Sequence, residues 1–180
     1  MTAIECGIRD QVAQYGFIIN HEKRIVIMNI FFLHKDAETA AHHLCDKHIN
    51  KMLVESVQML STCHHIIGSG NDRMYKPAFQ NHPCSIWVRK TAQNYFWLFR
   101  HAWQIADEFE NRFGKTHASK DVLLHLPEPD LPLRGLTAPA QAMPDQYKHF
   151  DPVHAYRNYY RHEKQSFARW DRGTPAPLGS

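Results

Sequence analysis

The chain has 180 residues, 43% of them hydrophobic, and a formal net charge of +3. This length supports one domain around one apolar core, and no stretch approaches the 18 or more apolar residues of a membrane span. The mild positive charge permits an anionic partner without demanding one. The four Cys (Cys6, Cys45, Cys63, Cys84) have no C-x-x-C spacing, and the N-terminus lacks the charged-then-apolar order of a signal peptide. Buried free thiols in a cytoplasmic protein are the expectation. Fourteen His are the oddity: metal binding, phosphate contacts at slightly acidic pH and a peculiarity of the lineage all fit.

Ile4, Ile8, Val12 and Tyr15 hint at a short amphipathic helix within residues 1–27, whose composition is unlike that of the rest of the chain. These residues are expected to be a dispensable extension. The apolar, β-branched and aromatic run Arg24–Leu33 predicts an extended or strand-like piece. Asp36 suits a helix N-cap, with Glu38 in the first turn, and Gly68 suits the stop. A helix of that length predicts a break near Cys45–Asp46, where Asp46 would cap the second part. Cys45, Ile49, Met52, Met59, Leu60, Cys63 and Ile67 fall in one apolar sector at about 100° per residue, which predicts a buried face. On its flank lie His48, Lys51, Glu55 and Thr62.

A polar connector precedes His82-Pro83, where proline opens a second long helix, Pro83–Phe113, stopped by Gly114. Its aromatic residues on several sides predict a central core helix. Residues 115–150 hold five prolines (Pro127, Pro129, Pro132, Pro139, Pro144), predicting irregular structure apart from a short helix over His117–Leu126. A loop this long is usually functional or loosely ordered. Asp151-Pro152 repeats the cap-plus-proline start, and a third helix is expected to about Trp170, with residues 173–180 a disordered tail. The fold class is therefore mainly α: a single domain over 28–172, two to three long helices around an aromatic core, a short N-terminal extended segment and a long Pro-rich loop.

The residues support three kinds of chemistry. Imidazoles and carboxylates at His42, His43, His48, Asp46 and Glu55 suit a metal, although the H-E-x-x-H motif is absent. The flank His48, Lys51, Glu55 suits acid–base or nucleophilic work, beside the plainer reading of an i,i+4 Lys–Glu pair. Basic residues on the second and third helices suit phosphate contacts.

Met28-Asn29-Ile30-Phe31-Phe32-Leu33, Cys45-Asp46-Lys47-His48, Asn81-His82-Pro83-Cys84, Trp87-Val88-Arg89 and Ala142-Met143-Pro144-Asp145-Gln146-Tyr147-Lys148 resemble an uncharacterised family common in phages and bacteria. The pattern of Leu44, Asp46, His48, Ile49 and Glu55 resembles the phage pyrimidine-dimer DNA glycosylase/lyase family. That resemblance implies an all-helical DNA-repair enzyme with a catalytic Glu at Glu55, a DNA-contacting His at His48, and an α-amine as nucleophile. An α-amine is partly neutral at pH 7, hence nucleophilic. The corresponding residue is Asn29, which carries such an amine only if translation starts at Met28 and Met28 is then removed; Lys51 is the substitute.

The resulting expectation is a DNA-acting protein of the base-excision type, with no cofactor and no membrane association. Its catalytic set is Glu55, His48, Lys51 and Asn29, and its DNA contacts are His82, Arg89, Lys90, Lys115 and Arg157. The alternatives are a metal-dependent hydrolase acting on nucleotides or nucleic acid, using His48, Asp46 and Glu55, and a non-catalytic, phage-type DNA-binding accessory protein.

Overall fold

The computed structural model describes residues 28–173 and Pro175, and it is mainly α-helical, with no strand among the described residues. The expected helix over Ile4–Tyr15, the first part of the run Arg24–Leu33 and most of the C-terminal tail lie outside the described residues. The helices in chain order are α1 (Ala37–His42), α2 (Asp46–Ile66), α3 (Pro83–Val88), α4 (Ala92–Phe113), α5 (Ser119–Leu124) and α6 (Pro152–Lys164), with a 3-10 turn at Asp145–Tyr147.

α2 and α4 form an antiparallel frame. At one end the buried His64 imidazole meets the Tyr95 hydroxyl at 2.7 Å, and at the other Arg112 meets Asp46 at 3.0 Å. The apolar sector of α2 is buried as expected: Cys45, Ile49, Met52, Met59, Leu60 and Cys63 are core residues. Thr62, assigned to the polar flank, is buried too, its hydroxyl donating to the Ala78 carbonyl at 3.1 Å.

Local signals set several helix ends. Asp36 caps α1 by accepting from the Thr39 N–H at 2.9 Å, and Asp151 caps α6 by accepting from the Val153 N–H at 2.9 Å. Gly68 (φ 85°) and Gly114 (φ 67°) follow α2 and α4 in the left-handed conformation that only glycine adopts cheaply. The break between α1 and α2 falls where expected, but Cys45, not Asp46, occupies the cap position. The entry needs no carboxylate, because the Tyr160 hydroxyl accepts from the Cys45 N–H at 3.0 Å and the Arg169 carbonyl from the Asp46 N–H at 2.8 Å.

The second long helix is in fact two. The chain turns at Arg89–Thr91, and the Thr91 hydroxyl caps α4, accepting from the Asn94 N–H at 3.1 Å and donating to the Gly135 carbonyl at 3.0 Å. Asn94 donates from its side-chain amide to the Trp87 carbonyl and to the Thr137 hydroxyl, each at 2.8 Å. The Pro-rich loop thus satisfies the groups freed by the break. Thr91→Val, which keeps shape but removes both bonds, is expected to cost about 1–2 kcal/mol, measured by urea denaturation.

The third long helix ends at Lys164, short of Trp170. The residues after it lie across the α1–α2 corner instead, where Trp170 Nε1 donates to the His43 carbonyl at 3.0 Å and the Asp171 N–H to Asp46 Oδ2 at 2.9 Å. Met28–Leu33, expected to be extended, joins no sheet and turns at Phe31, where the Leu33 N–H donates to the Phe31 carbonyl at 2.7 Å. Side chains replace a strand partner: the Asn29 N–H donates to Glu55, and the Leu33 carbonyl accepts from Arg157 Nε at 2.9 Å. Phe31 (φ 53°) stacks on His48 at 4.7 Å between ring centres, and Phe32 stacks on Trp97 at 4.2 Å.

Part of the histidine excess has a structural use. Nδ1 of His34, His82, His117 and His149 accepts from the N–H two residues on, at 3.0, 3.2, 3.0 and 3.1 Å, each time at the approach to a helix.

Candidate active site

Glu55 lies midway along α2, with its side chain 15% exposed. Oε2 accepts from the main-chain nitrogen of Asn29 at 2.9 Å, and Oε1 lies 3.6 Å from Lys51 Nζ. Burial pushes the carboxyl up to about 7, outweighing the opposing pull of the Lys51 ammonium and the Asn29 N–H. Near neutrality Glu55 therefore populates both protonation states, so it can give or take a proton. Asn29 is held on both sides of its amide: Oδ1 accepts from the Ile30 N–H at 2.8 Å, and Nδ2 donates to the Ala142 carbonyl at 2.9 Å. Met28 is buried ahead of it, with Ser85 Oγ 3.8 Å from its sulfur.

The predicted catalytic residues Asn29, Lys51 and Glu55 thus converge. His48 does not join them. It is buried, packed between Phe31 and Phe167, with Nδ1 2.7 Å from the Tyr160 hydroxyl. Burial, helped by the ammoniums of Lys51, Lys164 and Lys47, holds its pKa down to about 3. A neutral, enclosed imidazole positions Phe31 and the start of α2; it does not reach a surface ligand.

The metal set His48, Asp46, Glu55 is not brought together, and that reading is corrected. Asp46 turns to Arg112, His48 to Tyr160 and Glu55 to Asn29. Among the described residues no group of three or more His, Cys, Asp or Glu is placed to hold an ion.

The basic residues expected to contact DNA are spread out. His82 caps α3 through Nδ1, and burial lowers its pKa. Arg89 is half-buried and donates to the Gln80 carbonyl at 2.6 Å, near Cys63 about two turns along α2 from Glu55. Lys90 precedes and Lys115 follows α4, a 22-residue helix about 33 Å long, so the two do not share one patch. Lys115 lies over the Phe109 ring at 5.9 Å, and Arg157 is tied to the Leu33 carbonyl. Closer to Glu55 the fold gathers Lys47, Lys51 and Lys164 around His48. The i,i+4 spacing of Lys47 and Lys51 was visible in the sequence; the approach of Lys164 from α6 was not. Sequence reasoning also missed Ala142, which holds Asn29 through a carbonyl no side-chain pattern reveals.

The described residues thus form an all-helical frame, with a largely buried carboxylate at the main-chain nitrogen of the inserted segment Met28–Leu33. The chain belongs to the pyrimidine dimer DNA glycosylase family, whose model matches residues 28–121. The match opens at Met28, directly before the nitrogen that Glu55 addresses. No curated protein and no solved structure matches the chain. Among the described residues, no helix is long and apolar enough to cross a membrane.

Proposed function

We infer that this protein is a DNA glycosylase/lyase that acts through an imine between an amine of its own chain and the C1′ carbon of a damaged nucleotide. The observation that carries this reading is the 2.9 Å contact between the Asn29 main-chain nitrogen and Glu55 Oε2. In a chain that begins at Asn29 this nitrogen is an α-amine, already placed beside the Glu55 carboxyl. Removal of Met28 would also vacate the space its side chain fills beside Ser85.

The chemistry is that of the pair. The amine attacks C1′, the bond from C1′ to the base breaks, and the base leaves with that electron pair and takes up the proton that the attacking nitrogen gives up. Glu55 donates its proton to the ring oxygen as the sugar opens, leaving an iminium at C1′. Its carboxylate stabilises this cation and accepts a proton in the later elimination at the 3′ phosphate. Lys47, Lys51 and Lys164 supply phosphate contacts around the site. The family's description names pyrimidine dimers, and DNA containing such a dimer is the first substrate to assay. Lys51 is the second source of the amine, because its Nζ is 3.6 Å from Glu55 Oε1 and its side chain is 45% exposed.

Borohydride trapping tests the reading on plain, abasic and ultraviolet-irradiated duplexes. It compares the full chain, a chain starting at Met28, and one released by proteolysis to start at Asn29. An adduct specific to the chain starting at Asn29 is the expected result. An adduct from the full chain, lost on Lys51→Arg, moves the amine to Lys51. Folded protein that gives no adduct in any form refutes the imine. A chain starting at Met28 that fails to fold refutes the dispensability of residues 1–27.

A further inference from the structure

We propose that Phe150 is a stacking wedge that enters the base stack of duplex DNA near the lesion and holds the stack open there. The proposal rests on the DNA-acting function inferred above. Phe150 is 92% exposed, the most exposed of the large hydrophobic residues described. It is not a loose loop residue. Phe150 sits at the centre of a turn in which His149 Nδ1 accepts from the Asp151 N–H at 3.1 Å. Gln141 grips the backbone of His149 on both sides, donating to its carbonyl at 2.6 Å and accepting from its N–H at 3.0 Å. Asp151 then caps α6, and the His149 ring lies against Phe150 at 4.1 Å and His154 at 4.4 Å. The ring is therefore presented from a braced support, which lowers the entropy lost on insertion.

The support is wired to the Glu55 site. Ala142, next to Gln141, accepts from Asn29 Nδ2, and Ala140 accepts from the Tyr156 hydroxyl at 2.6 Å. Through Gln141 and Ala142 the turn that carries Phe150 is thus joined to the segment that Glu55 addresses. Pro139, Gln141, Lys148, His149 and Phe150 line one shallow concavity. A single exposed ring with the His149 imidazole against it, beside a Lys148 whose ammonium is paired with Asp145 at 2.7 Å, suits a stacked base rather than an apolar protein surface.

The test uses the full chain and a duplex carrying a non-cleavable abasic analogue with 2-aminopurine as the neighbouring base. Binding is expected to raise 2-aminopurine fluorescence. Phe150→Ala is expected to abolish the rise and weaken binding roughly 5- to 150-fold, and Phe150→Trp to restore both. Binding to a single-stranded abasic oligonucleotide, which has no stack to open, is expected to be unchanged by Phe150→Ala. A rise that survives Phe150→Ala, binding with no rise, or no binding to the duplex overturns the wedge. Borohydride trapping on the single-stranded abasic oligonucleotide, run alongside with each chain start, separates the two ideas. An adduct without a Phe150-dependent rise retains the chemistry and refutes the wedge; a Phe150-dependent rise without any adduct does the reverse.

Discussion

Glu55→Gln is expected to abolish the borohydride-trapped adduct and to lower turnover on damaged DNA by roughly 10²–10⁴-fold, while making the protein more stable above pH 7. Gln keeps the shape and can still accept from the Asn29 N–H, but it has no proton to exchange. The stability effect comes from linkage. Burial raises the folded-state pKa of Glu55 from 4.5 to about 7, so the native state holds a proton that the unfolded chain releases. The group's contribution to stability is then largest below pH 4.5, falls as pH rises to about 7, and stays level above it. Gln, neutral throughout, escapes that loss. At pH 8 the gain is up to about 3 kcal/mol, or several degrees in melting temperature, and it vanishes near pH 4.5. Melting curves across this range, run beside the trapping assay, check both halves. A variant that keeps wild-type adduct yield removes Glu55 from the mechanism. One that loses the adduct without gaining stability at pH 8 removes the buried-charge account.

Arg112→Met is expected to destabilise the fold by about 3–5 kcal/mol, the scale for removing one partner from a buried ionic cluster. Its side chain is 1% exposed and meets four groups. It donates to Glu108 Oε2 at 2.7 Å, the Leu44 carbonyl at 2.7 Å, Asp46 Oδ1 at 3.0 Å and the His42 carbonyl at 3.0 Å. Gly173 packs against the same guanidinium so closely that a Cβ there would collide with it. Removing the cation leaves two carboxylates and two carbonyls in place with little water to take over. Arg112→Lys is expected to recover only part of the loss, because one ammonium cannot span acceptors on both α4 and the α1–α2 corner. Equilibrium urea unfolding measures both variants. Since this cluster holds the start of α2, loss of DNA activity in Arg112→Met is expected to track the unfolded fraction rather than the trapping chemistry.

Where the signal is local, the sequence was sufficient. Asp36, Asp151-Pro152, Gly68 and Gly114 mark helix ends through bonds or dihedrals that involve neighbours within a few residues. The buried face of α2 and the Lys51–Glu55 pair come from helical spacing alone. The break at Thr91 escaped because the aromatic pattern continues across it, and its cost is met by Gly135 and Thr137, more than 40 residues away in the chain. Helical spacing put His48 on the flank of the apolar sector and the resemblance gave it a DNA contact, whereas Phe31 and Tyr160 enclose it from distant segments. The apolar run at Met28–Leu33 looks like a strand, yet side chains from α2, α4 and α6 satisfy and pack it. By itself, the sequence determined that this protein is helical and that Glu55 borders a buried face. Only the tertiary structure decided that this carboxylate meets the nitrogen of Asn29, because a contact spanning 26 residues exists only once the inserted segment is packed against α2 and pinned by Ala142.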